Sequence, residues 1–163
     1  MTIVTMGDSL TDFRHWANRQ VAWPNLLRDR LRKKFKSEVK IVNPAVGGTL
    51  LRQNLVLIPR WLAEAPEPDL VTICFGGNDW ESGMRGEMFR EACLDAINRI
   101  RRATKGKTDV LLLTTMPNVK QWQTHAELGE ACRQAARERH AGLADTEKAF
   151  WGAGKDDPTR LFA

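Results

Sequence analysis

Residues 70–75, Leu-Val-Thr-Ile-Cys-Phe, are mostly apolar at consecutive positions rather than at alternate ones. A strand of that kind is covered on both faces, and such strands belong to parallel sheets with helices packed above and below. Four other runs read as strands, at residues 2–6, 39–42, 109–114 and 141–144. The stretches between them carry helical signals. Trp23, Leu26, Leu27, Leu31 and Phe35 recur at helical spacing, and Pro24 suits a first turn. Residues 50–63 read as helix in pieces, broken near Pro59. Residues 86–103 place Phe89, Cys93, Ala96, Ile97 and Ile100 on one face. Residues 127–139 do the same with Leu128, Ala131, Cys132, Ala135 and Ala136. Strands alternating with helices predict βαβ units and a three-layer α/β/α sandwich around a central, mostly parallel sheet. The chain has 163 residues. It shows no repeats and no linkers, so one domain spanning 1–163 is expected.

Composition narrows the function classes. The formal net charge is +5. The basic residues concentrate at 28–34 and 99–102, both on amphipathic helices, and read as solvated helix faces. No aromatic residues alternate with them as in a single-strand-binding groove. Nucleic acid is therefore not an expected partner. Cys74, Cys93 and Cys132 have no metal-ligand spacing and read as buried free thiols of a reducing compartment. His15, His125 and His140 form no ligand pair, so neither a metal nor an organic cofactor is expected. No apolar segment is long enough for a membrane span. The first strand starts almost at residue 1, which leaves no room for a signal peptide. A cytoplasmic protein is the expectation, and a secreted form with its leader removed would read the same.

Three strand ends share one chemistry. The first strand runs into Gly7-Asp8-Ser9-Leu10-Thr11, the second into Asn43-Pro44-Ala45-Val46-Gly47-Gly48-Thr49, and the third into Gly76-Gly77-Asn78-Asp79. Each alone is ordinary turn chemistry. In a parallel sheet, however, these ends lie on one edge, where such folds bind ligands. Ser9 supplies a hydroxyl nucleophile. The Ser9 and Gly48 N–H groups and the Asn78 side-chain amide supply donors. Acyl transfer needs that set, because a carbonyl under attack becomes an oxyanion that preorganised donors must hold.

On these residues the sequence resembles the SGNH (or GDSL) hydrolases across nearly its whole length. Gly7-Asp8-Ser9-Leu10 matches the family's first block, with Ser9 as nucleophile. Residues 43–49 resemble the second, usually Asn-x-Gly-x-x-Gly, with Ala45 where the first glycine often stands and Gly48 at the oxyanion position. Gly76-Gly77-Asn78-Asp79 matches the third, with Asn78 as oxyanion donor. The resemblance implies a serine ester hydrolase of the esterase and lipase kind, working through an acyl-enzyme and needing no cofactor. The small-molecule ester expected is a short-chain acyl ester, with an acetylated carbohydrate favoured. No insertion suggests the lid of a long-chain lipase, and thioesters remain open. Six tryptophans accompany no tyrosine. Trp16, Trp23 and Trp80 fall near the site loops, and Asp8, His15 and Trp80 are the expected substrate contacts.

One block is missing. The family's Asp-x-x-His near the C-terminus, which supplies the base and the carboxylate that orients it, has no match there, and His15, His125 and His140 do not match it. Asp156 and Asp157 are followed three residues on by Thr159 and Arg160. Family members often run through a segment like 156–162 into Asp-x-x-His-Pro and a final helix. The expectation is a fragment that stops short of this block. The alternative is a non-catalytic binding module that kept the pocket and lost the base. His15 is a further, less favoured base. In either case Ser9 lacks its activator, and little or no esterase activity is expected of these residues alone. Without the final helix, one sheet face stays uncovered and open to a partner or a second copy.

Overall fold

The computed structural model describes residues 1–16, 20–117, 126–154 and 161. Its centre is a sheet of β1 (Thr2–Gly7), β2 (Lys40–Val42), β3 (Leu70–Cys74), β4 (Asp109–Leu113) and β5 (Gly142–Ala144), in the order β2-β1-β3-β4-β5. Every neighbouring pair is parallel, with Val4 opposite Val42 and Val71, and Ile73 opposite Leu112. The helices are α1 (Trp23–Phe35), α2 (Leu51–Asn54), α3 (Ile58–Glu64), α4 (Gly77–Glu81), α5 (Gly86–Ala103), α6 (Ala126–Glu138) and α7 (Thr146–Gly154). The architecture is the expected α/β/α sandwich.

Strand order decides which helix covers which face. The step from β1 to β2 runs one way along the sheet, and the step from β2 to β3 returns past β1. Right-handed crossovers in opposite directions put their helices on opposite faces. α1 therefore lies on one face and α2, α3, α5 and α6 on the other. The second face holds the main core. Val4, Met6, Val71, Ile73, Val110 and Leu112 pack there against Trp61, Phe89, Ile97, Ile100 and Leu128. The opposite face is more polar, with Thr5 and Thr72 paired in register and both fully buried. The direction reverses between β1 and β3, and open α/β sheets bind ligands at such a reversal.

Two local readings need adjustment. α1 forms where its spacing predicts, yet of its residues only Pro24 is buried; Leu26 and Phe35 are exposed. The helix lies over β2, which has only three residues and offers little surface to cover. Pro59 starts a helix rather than breaking one. Residues Leu55–Leu57 form a turn of 3-10 helix, and Pro59 sits in the first turn of α3, where its missing N–H has no consequence. The three cysteines are buried and free, as expected. Among the described residues no helix is long and apolar enough to cross a membrane.

The start of α7 is fixed by one ionic cluster. Arg133 of α6 donates two hydrogen bonds to Asp145, at 2.9 and 2.8 Å, and pairs with Glu147 as well. Asp145 also accepts the Lys148 N–H at 3.1 Å, which makes it the N-cap of α7. The Arg133 guanidinium holds the Asp145 carboxyl below its ordinary value. A carboxyl depressed by folding stabilises the fold above its unfolded pKa, and that contribution fades as pH falls through the folded one. Asp145→Asn is expected to cost about 1–2 kcal/mol at pH 7. The gap to the parent should narrow in urea titrations repeated below about pH 4. An equal gap at both pH values would contradict this account.

Candidate active site

The first loop is built by steric necessity. A Cβ at position 7 would lie 2.2 Å from Thr11 Oγ1 and 2.4 Å from Thr11 Cβ, so only glycine lets the chain close so tightly after β1. The Asp8 carbonyl then accepts the N–H groups of Thr11 and Asp12, both at 3.0 Å. The Asp8 carboxylate accepts the Leu10 N–H at 3.0 Å. This single turn sets Ser9 half-buried at its corner. Trp23 Nε1 donates to Thr11 Oγ1 at 3.3 Å and ties the start of α1 to the same turn.

The second loop docks directly on the first. Val46 N–H donates to the Gly7 carbonyl at 3.1 Å. Asn43 Nδ2 donates to Thr5 Oγ1 at 2.7 Å and to the Thr11 carbonyl at 2.9 Å. Gly48 has φ of +76°, a left-handed conformation that favours glycine. His15 packs on Gly47, with its Cδ2 2.5 Å from where a Cβ would stand. Burial raises the Asp12 carboxyl, but the Arg14 backbone amide, the Arg14 guanidinium and the Gly47 amide together outweigh it and hold the group below its ordinary value.

The third loop closes the arrangement. Gly76 has φ of +132°, and the side chain of Thr115 fills the space where a Cβ would be. Asn78 then reaches back: its Nδ2 donates to the Thr49 carbonyl at 3.1 Å and to Asp8 Oδ2 at 3.4 Å. The second contact is at the outer limit of a hydrogen bond, so that N–H is the one most easily redirected to a ligand oxygen. Asp8 is only 4% exposed. Burial pushes its carboxyl up, against the pull of the Leu10 N–H and of His15.

The residues singled out in the sequence thus fall into four groups. Ser9 and Gly48 lie on loops and Asn78 in the first turn of α4, joined by these hydrogen bonds, with Asp8 buried beside them. His15 packs on the second loop and Trp80 against the main core, and each ring has a further neighbour. The His15 ring lies 5.6 Å from that of Trp16, and the Arg85 guanidinium sits 3.9 Å above the Trp80 ring. His140 is elsewhere, at the end of α6, where its carbonyl accepts from Arg101. His125, Asp156 and Asp157 lie outside the described residues. Two carboxylates escaped the sequence reading, Asp12 and Asp79. The signal for them was adjacency alone: Asp12 follows the Ser9 turn, and Asp79 follows Asn78.

Comparison with known proteins agrees with this architecture. A search of curated proteins finds no match. Among solved structures, a lipase/acylhydrolase from Enterococcus faecalis is 22% identical, with a TM-score of 0.75, over 91% of this chain and 77% of that one. The structure of TesA is 23% identical, with a TM-score of 0.73, over 96% and 82%. Axe2, an acetylxylan esterase from Geobacillus stearothermophilus, is 20% identical, with a TM-score of 0.70, over 98% and 82%. At such identities these likenesses speak for the fold. The sequence speaks for more, since residues 5–163 match the profile of the GDSL-like lipase/acylhydrolase family, and the chain belongs to that family.

Proposed function

We propose that this protein is a serine ester hydrolase for short acyl esters, with Ser9 as nucleophile. The Ser9 and Gly48 N–H groups and the Asn78 amide are the donors that hold the oxyanion. The observation that carries this reading is the Asn78 amide, which hydrogen-bonds to both other loops and so gathers the three strand ends. Attack by Ser9 forms an acyl-enzyme and releases the alcohol, and water then releases the acid. Asp8, buried at the junction, orients Asn78 rather than touching substrate. Leu10, Phe13 and Trp16 are exposed beside Ser9 and offer an apolar rim to an acyl chain or a sugar ring. Axe2, titled an acetylxylan esterase, favours acetyl esters of carbohydrates.

Near their C-terminal end the 163 residues contain no Asp-x-x-His; Asp12-Phe13-Arg14-His15 has that spacing but directly follows the Ser9 turn, and its carboxylate accepts from Arg14. Ser9 therefore has no base of the family's kind among them, and their turnover of an aryl acetate is expected to stay below about 1 s⁻¹. The same observation favours a second reading, a binding module that holds an ester without cleaving it. Intact mass after exposure to a fluorophosphonate separates the two when the parent is the 163 residues joined to an Asp-x-x-His segment and its following helix, which gives Ser9 a base. One adduct on the parent and none on Ser9→Ala supports the hydrolase. No adduct on the parent, with the acetylated oligosaccharide still bound, supports the binding module.

A further inference from the structure

The loop that carries Gly48 is also fixed from its far end. The Leu51 N–H, at the start of α2, donates to Asp79 Oδ1 at 3.0 Å in a buried contact. Asp79 is itself 0% exposed, and its Oδ2 finds no hydrogen-bond partner among the described residues. Burial pushes its carboxyl up to about 6, with the nearby Asp8 carboxylate adding to the rise. A buried oxygen without a partner is costly, so this residue is not explained by stability.

Its position explains it better. Asn78 and Asp79 are neighbours on α4, and both reach into the same loop. Asn78 grips the Thr49 carbonyl, and Asp79 grips the Leu51 N–H two residues on. Thr49 Oγ1 donates back to the Val46 carbonyl at 2.7 Å, and Val46 is held by Gly7. Gly48 lies inside this set of anchors. A Cβ there would meet nothing within 4 Å, so no side-chain packing steadies Gly48 itself.

We propose that Asp79 is a positioning residue: by accepting the Leu51 N–H it fixes the Gly48 N–H relative to the Asn78 amide, so that both donors meet one oxygen. The inference rests on the esterase reading of the site. Oxyanion donors act at roughly 2.7–3.1 Å from the developing charge, and small displacements of such groups are costly in rate. The brace requires an acceptor rather than a charge. Asp79→Asn keeps the acceptor, whereas Asp79→Leu keeps the volume and removes it.

The test pairs two readouts on the chain extended by the Asp-x-x-His segment and its helix, in which Ser9 has a base. One is the rate at which a fluorophosphonate captures Ser9. The other is backbone amide exchange at residues 48–51. Asp79→Leu is expected to slow capture about tenfold or more and to speed exchange in that loop while leaving β1 and β3 unchanged. Asp79→Asn is expected to restore both to near the parent. If Asp79→Leu does not fold, Asp79→Ala takes its place. Parent-like capture and exchange in the variant without an acceptor would overturn the proposal, as would an equal defect in Asp79→Asn. A parent that captures no phosphonate would count against the esterase reading, and loop exchange alone would then decide the role of Asp79.

Discussion

An Asp-x-x-His segment with a following helix, joined after Ala163, is expected to raise hydrolysis of a short aryl acetate by about 10²–10⁴-fold over the 163 residues alone. The reason lies in proton chemistry. A serine hydroxyl is a weak nucleophile near neutral pH until a base removes its proton. In the proposed reading the described residues supply the rest: a turn that presents Ser9, a left-handed Gly48, and an Asn78 amide held across both loops. Donors without a base give only a residual rate. Placing Ser9→Ala in the extended chain should return the rate to that of the shorter one. Initial rates with both chains and both variants make the measurement. No gain on extension, or a gain that survives Ser9→Ala, would sink the assignment of Ser9.

The largest loss of stability is expected from Gly76→Ala, at roughly 2–4 kcal/mol. Two penalties add there. At φ of +132° a side chain is strained whatever surrounds it. The new methyl would also stand 2.1 Å from Thr115 Oγ1. Thr115 cannot easily yield, because it is buried and donates to the Phe75 carbonyl at 3.2 Å. Relief by backbone movement would shift Gly77 and Asn78, so the oxyanion donor would move too. Urea denaturation gives the stability, and fluorophosphonate capture gives the effect on the site. A variant as stable as the parent would show that the β3 turn is far more pliable than its geometry implies. Gly77→Ala is the control, since a Cβ there meets nothing within 4 Å.

Much of this was legible before any coordinates. The unalternating run of β3 announced a buried parallel strand, and the glycines after β1, β2 and β3 marked the edge on which the site sits. Those signals are local, written in runs of a few residues. The parts that could not be read depend on partners distant in the chain. Asp79 was visible as part of a motif, but its acceptor role depends on a backbone N–H 28 residues away. A backbone amide leaves no trace in side-chain identity. Trp80 read as an indole face available to substrate. Arg85 stacks on it, an interaction that helix spacing alone does not specify. The apolar spacing of α1 gave the helix correctly but not its burial, because burial is set by the width of the strand beneath.

The contact between His15 and Gly47 has a consequence for how such sequences can diverge. The imidazole occupies the volume that any side chain at position 47 would need. The two positions belong to different loops and lie far apart in the chain, yet they share one space. Any bulk gained at one must be surrendered at the other. A side chain gained at position 47 would therefore have to displace the His15 ring, and with it the contact that joins the Ser9 turn to the second loop.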